Sequence, residues 1–187
     1  MTATAQKLIQ CVAPVSLYDS AKVHYALAEK FLATVPYIGS VLITSTWRPP
    51  GGAGSPKSFH KRTPCLALDF QPKNSNLWDV FNKLISLGWQ RIGIRPDKHM
   101  IHIDMGAEFG LARPYLFLEG VGGKDLGPLD KQPLSLLQQI PGYSTSKVRL
   151  FPSPETKISP EIKTLIISGI VAVGSGVLTF LIKKYLE

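Results

Sequence analysis

Three side chains in this sequence sit where an ordinary apolar core does not put them. His60 ends a loop rich in Gly, Pro and Ser. Asp69 follows the mostly apolar run Cys65-Leu66-Ala67-Leu68, and His102 lies between Ile101 and Ile103 in Met100-Ile101-His102-Ile103-Asp104. A carboxylate and an imidazole within apolar strands need partners, because burying them uncompensated is costly. Taken singly, each has an ordinary explanation: a strand Asp paired with Lys or Arg, a His hydrogen-bonded in the core. Taken together, two imidazoles and one carboxylate, with a fourth position open to water, form the usual donor set of a catalytic zinc site. The His-Glu-x-x-His motif of the common helix-borne zinc proteases is absent from the sequence.

The residues around these three are ordered as Thr44-Ser45-Thr46-Trp47-Arg48, then Ser58-Phe59-His60, then Ala67-Leu68-Asp69, then Ile101-His102-Ile103-Asp104. Read in that order, they closely resemble the M15 family of zinc peptidases. This family includes D-alanyl-D-alanine carboxypeptidases and dipeptidases and many bacteriophage endolysins. The resemblance runs from Val41 to Gly106. It implies Zn²⁺ as cofactor, held by His60, Asp69 and His102. It also implies that Arg48 points into the site, to polarise the scissile carbonyl or hold a substrate carboxylate, and that Ser58 hydrogen-bonds substrate. There are two departures from the family pattern. Eight residues, Lys61 to Leu68, separate His60 from Asp69, more than is common in the family, so the excess must loop out before the strand. His99 stands where many members carry Glu, three residues before the last ligand. His99 is the first candidate for the general base that takes a proton from water and returns it to the leaving amine. Asp104 is the other candidate, although on an extended strand it shares a face with His102 and can simply orient it. The implied reaction is hydrolysis of a peptide bond in bacterial peptidoglycan, by a carboxypeptidase or an endopeptidase. Zinc would acidify water and stabilise the oxyanion together with Arg48.

These residues need a scaffold, and periodicity predicts one. Val23, Leu27 and Phe31 recur at helical spacing, predicting a helix over 20–35 that Pro36 ends. Strands are expected over 41–44, 65–70, 91–94 and 100–105, separated by the breaker-rich loop Arg48-Pro49-Pro50-Gly51-Gly52 and by a helix from Asn76 to about Leu87. The order predicts an α+β domain: a small antiparallel sheet packed with helices, in line with the M15 resemblance.

The full chain has 187 residues and a formal net charge of +8, which suits one domain with accessory segments and attraction to polyanions. Residues 1–118 hold 13 Lys/Arg and 7 Asp/Glu, so most of the excess lies with the expected peptidase domain. No recognised nucleic-acid-binding motif accompanies the dispersed charge, which ranks nucleic acid last among partners. Cys11 and Cys65 show no metal-site or disulfide spacing. Met1 to Leu17 lacks the features of a secretion signal. Residues 119–163 are punctuated by Gly and Pro and read as an extended linker, with at most a short helix around Leu134–Ile140. Residues 164–182 carry no charge; a helix of that length rises about 28 Å and would span a bilayer, leaving 183–187 as a short basic tail. Ser168, Ala172 and Gly176 share one face of it, where small residues allow self-association. The expectation is a membrane-anchored, single-pass zinc peptidase, phage- or virion-associated, resident in a virion or a host inner membrane. The alternative is a non-catalytic metal- or wall-binding membrane protein that keeps the fold.

Overall fold

Alternation along the strands sorts their residues onto two faces, and the computed structural model of the chain, which describes residues 6–145 except 53, shows the consequence. Strands β1 (Ile9–Cys11), β2 (Val41–Ser45), β3 (Ala67–Pro72), β4 (Arg91–Arg95), β5 (Met100–Asp104), β6 (Tyr115–Glu119) and β7 (Asp125–Pro128) form one sheet. Its spatial order is β1-β2-β3-β5-β4-β6-β7. The central register places Leu68, Ile103, Ile92 and Leu116 in one row, and Phe70, Ile101, Ile94 and Leu118 in another. All eight are buried. The row between them, Asp69, His102, Gly93 and Phe117, must therefore face the other way, because side chains alternate along a strand.

The apolar face is covered by helices α1 (Tyr25–Ile38) and α2 (Leu77–Ser86). In α1, Leu27, Phe31, Val35 and Ile38 are buried, a stripe of helical period, and Phe31 meets Phe70 of β3 at 5.2 Å between ring centroids. In α2, Leu77, Val80, Phe81 and Leu84 do the same. Each such side chain contributes about 1.5–3 kcal/mol on burial, so this layer holds the sheet while leaving the opposite face free for polar chemistry.

The α+β class matches expectation, but the sheet is larger and is mixed rather than purely antiparallel. β1 runs parallel to β2, and β4 parallel to β6. Helix α1 starts later and ends later than its periodicity predicts. Residues 22–24 are held beside the loop before β3, where Cys65 N–H donates to Lys22 O (2.7 Å) and His24 N–H to Cys65 O (3.0 Å), and His24 caps the helix. Pro36 lies inside the last turn instead of ending the helix. There it removes only one ladder bond, and Ile38 beyond it is buried at 4% exposure.

The stretch expected to be an extended linker adds to the domain over its described part. β7 pairs with β6, Leu129 and Ile140 are buried, and the short helix α3 (Leu134–Leu137) leads to Tyr143, whose ring lies 4.8 Å from that of Trp78. Gly142 allows this approach: its φ is +81°, and a Cβ there would stand 2.6 Å from Asn76 Cβ. Gly and Pro in this stretch therefore serve tight turns as well as extension. The expected membrane span, 164–182, lies outside the described residues. Among the described residues no helix is long and apolar enough to cross a membrane.

Candidate metal centre

β2 ends in a register irregularity between Ile43 and Ser45, and such a bulge bends a strand and re-aims the residues beyond it. The chain then crosses to Arg48, whose N–H donates to His60 O at 2.9 Å. His60 sits in a single 3₁₀ turn, Phe59–Lys61, capped by Ser58, whose Oγ accepts from His60 N–H at 3.3 Å. The extra residues between His60 and Asp69 loop out before β3. The loop is pinned by Cys65 and by Leu66 N–H donating to Phe59 O at 3.1 Å. Asp69 pairs directly across the sheet with His102.

The three side chains converge. His60 Nε2 is 3.1 Å from Asp69 Oδ1 and 3.3 Å from His102 Nδ1, and His102 Nδ1 is 2.7 Å from Asp69 Oδ1. A tetrahedral zinc site with ligand bonds of about 2.0–2.1 Å has ligand–ligand edges of about 3.3 Å; the two separations from His60 match this, and the 2.7 Å His102–Asp69 separation, a hydrogen-bond distance, would open slightly around an ion. The outer nitrogens agree. His60 Nδ1 is 2.6 Å from Thr46 O, and His102 Nε2 is 3.3 Å from Asp104 Oδ2. A carbonyl and a carboxylate can only accept, so with a metal on the inner nitrogens each ring would carry its proton on the outer one and donate it there. His60, Asp69 and His102 are also the described residues whose donor atoms cluster as metal ligands do.

A ring of partners fixes this arrangement. Asp104 is 1% exposed. Its Oδ1 accepts from Arg91 Nε (2.8 Å) and from the Gly106 N–H (2.8 Å), while Oδ2 is 3.0 Å from Arg91 Nε. Arg48 donates to Asp69 Oδ2 through Nη2 and to Ser45 Oγ through Nε at 2.9 Å. Burial opposes the Asp69 charge, but the two imidazoles outweigh it and hold the carboxyl well below the usual range. Burial likewise opposes Asp104 ionisation, and His102 and Arg91 overcome it, so this carboxyl is lowered too. In the metal-free protein, burial disfavours imidazolium at His102, yet its bonds to Asp104 and Asp69 push it up to about 10. A proton thus occupies the place between these groups that a cation would take.

The centre forms part of the wall of a cleft of about 610 Å³, within the usual range for small-ligand sites. Arg48, Ser58, His60, Asp69, His102 and Asp104 all line it. The structure thus brings together every residue singled out from the sequence except His99. His99 ends a 3₁₀ turn, with φ +47° and its N–H bonded to Pro96 O at 3.1 Å, and is not among the lining residues. Asp104 lies behind His102 with its oxygens already engaged, which gives it an orienting role. The Ser58 hydroxyl is engaged as a cap. Arg91, Arg95, Phe117 and Glu119 also line the cleft and were not foreseen. The signal for the last two was the apolar, aromatic-rich run Tyr115-Leu116-Phe117-Leu118-Glu119 after Pro114, which suits a buried strand. Gly93 makes room for them: a Cβ there would lie 2.6 Å from Phe117 Cζ and 3.1 Å from Glu119 Oε1.

Compared with known proteins, the chain matches no protein-family model, no curated protein and no solved structure.

Proposed function

We propose that this protein is a zinc-dependent peptidase of the M15 type, acting on peptide bonds of bacterial peptidoglycan. The observation that carries the reading is the convergence of His60 Nε2, Asp69 Oδ1 and His102 Nδ1 in the wall of an open cleft, each imidazole with an acceptor beside its outer nitrogen. The motif order shared with that family supports the same reading. Zinc bound by these three residues would acidify a water and polarise the scissile carbonyl. The chain's own residues do the rest. Thr46 O and Asp104 orient the two rings, and Arg48 both neutralises Asp69 and presents a guanidinium to the cleft for a carbonyl or carboxylate of the substrate.

The uncharged run 164–182 would tether this activity to a bilayer as a single-pass C-terminal anchor, in a virion or a host inner membrane, and so confine hydrolysis to wall near that membrane. Small residues at Ser168, Ala172 and Gly176 would allow two such anchors to associate.

One observation favours a second reading, a metal- or wall-binding membrane protein without activity: His99, the first candidate for the base, does not line the cleft. The full chain, solubilised in mild detergent, is loaded with zinc and incubated with purified peptidoglycan, beside His60→Ala. One equivalent of zinc and released peptides, both lost in His60→Ala, support the peptidase. Stoichiometric zinc with no peptide released supports the binding protein. A folded chain that takes up no zinc refutes the peptidase, and one that also fails to sediment with the peptidoglycan refutes the binding protein.

A further inference from the structure

The cleft carries four carboxylates: Asp69, Asp104, Asp125 and Glu119. Three are committed. Asp69 holds Arg48 and the two imidazoles, Asp104 holds Arg91 and His102, and Asp125 accepts from Tyr115 Oη and the Gly127 N–H. Glu119 alone among the four has no hydrogen bond or ion pair to a described residue. It ends β6 where the register with β7 shifts between Phe117 and Glu119, an irregularity that re-aims a side chain. Its Oε1 lies 3.1 Å from the place a Gly93 Cβ would occupy, and Gly93 is directly opposite His102 across the β4–β5 pair. Directly opposed residues have Cβ atoms about 4.5–5.5 Å apart, so the carboxylate stands beside the His102 side of the centre, in the open cleft.

Resting on the peptidase reading, we propose that Glu119 is the general base. Its carboxylate takes one proton from the attacking water as the water oxygen bonds to the scissile carbonyl carbon. It gives that proton to the amide nitrogen as the C–N bond breaks, leaving a carboxylic acid, an amine and Glu119 ionised again. The carboxylate fits this use because it is free, faces the substrate space and is partly desolvated. The charged groups around it are His102 on β5, Asp69 on β3, Arg95 on β4 and Arg48 in the loop after β2, with Asp125 on β7 also lining the cleft. Burial raises its pKa; His102, Arg95 and Arg48 offset this in part while Asp69 adds to it.

The test uses the full chain and its Glu119→Gln variant, with His99→Ala beside them. Zinc content is measured first, and Glu119→Gln is expected to keep one equivalent, since it removes no ligand. With a peptidoglycan-derived peptide, kcat is expected to fall by about 10²–10⁴-fold, the usual worth of a general base, with KM little changed. His99→Ala is expected to stay near the parent. The second readout is the visible absorbance of the Co²⁺-loaded protein as a function of pH. A transition on the acid-to-neutral side is expected in the parent and is expected to be lost in Glu119→Gln. A kcat within threefold of the parent, an effect on KM alone, or an unchanged Co²⁺ titration would each overturn the assignment. If the parent binds zinc but cleaves no peptide, the peptidase reading fails separately. The Co²⁺ titration still decides whether Glu119 exchanges protons with the centre.

Discussion

Replacing Asp104 by Asn should weaken metal binding through a change of tautomer, although Asp104 is not itself a ligand. Its Oδ1 accepts from Arg91 Nε and from the Gly106 N–H, both at 2.8 Å, and these N–H groups cannot accept in return. The Asn carbonyl must therefore take the Oδ1 place, which puts its NH₂ group where Oδ2 now faces His102 Nε2 at 3.3 Å. An NH₂ donates, so Nε2 is driven to accept and the ring proton moves to Nδ1, the nitrogen that faces Asp69 and His60. The ring must then either lose the outer hydrogen bond or lose its inner lone pair. Loss of such an orienting partner weakens metal affinity by about 10–100-fold, or about 1.4–2.8 kcal/mol. Competition for Zn²⁺ against a chromogenic chelator at pH 7 measures this directly, with circular dichroism of the metal-free proteins as the control for folding. An affinity within twofold of the parent, in a folded variant, would show that Asp104 does not set the His102 tautomer and would refute the reasoning.

Stability of the metal-free protein should depend on pH in both directions. His102 is raised in the folded state to about 10, so its contribution is complete below the ordinary imidazole pKa of about 6.5 and is lost as pH rises toward 10. Asp69 is lowered, so its contribution is present above the ordinary Asp value of about 3.9 and is lost as pH falls through its folded value. Thermal melting with a chelator should accordingly show Tm falling from pH 6 to pH 9, and saturating zinc should reduce that fall; a Tm flat over this range would contradict the charge arrangement. Gly93→Ala should destabilise the fold by about 1–3 kcal/mol, the usual cost of overpacking, because its Cβ would meet Phe117 Cζ at 2.6 Å; an unchanged urea midpoint would show that Phe117 yields freely. Cys65 is fully buried and its thiol is pushed up to about 11. A thiol reagent should therefore label the half-buried Cys11 in the native protein and Cys65 only on unfolding, as mass mapping of labelled peptides would reveal.

Much of the scaffold was legible in residue order, where local chemistry decided the outcome. Helix α2 begins after Asn76, whose side chain makes no capping hydrogen bond, and closes at Leu87 with Gly88 at positive φ, because a glycine stop acts within a turn of the helix. The four expected strands formed close to their expected bounds, β4 and β5 because Ile alternates there with polar residues or Gly, β2 and β3 because short apolar, β-rich runs suit a buried strand. Asp69 and His102 were legible because a charged or titratable group inside an apolar strand demands an explanation from its own neighbours, whereas His60, in a loop, joined them only through the order of the short motifs around it. Helix α1 was less legible at its start, where pairing to residue 65, distant in sequence, overrode helical periodicity.

Residue order by itself determined which groups were available for chemistry and which strands carried them. Only the tertiary structure decided which of those groups share a cleft. His99 is three residues from His102 in the chain but does not line the cleft, while Glu119, seventeen residues away, does. β6 reaches the site by pairing in parallel with β4, a contact made by strands that are not consecutive in the chain. No local pattern encodes such a pairing, because its stabilisation comes from burial of Leu116 and Leu118 in rows completed by β3, β4 and β5. The same holds for the acceptors beside the outer imidazole nitrogens, the Thr46 carbonyl and the Arg91-held Asp104 carboxylate, which meet the rings only once the strands are assembled.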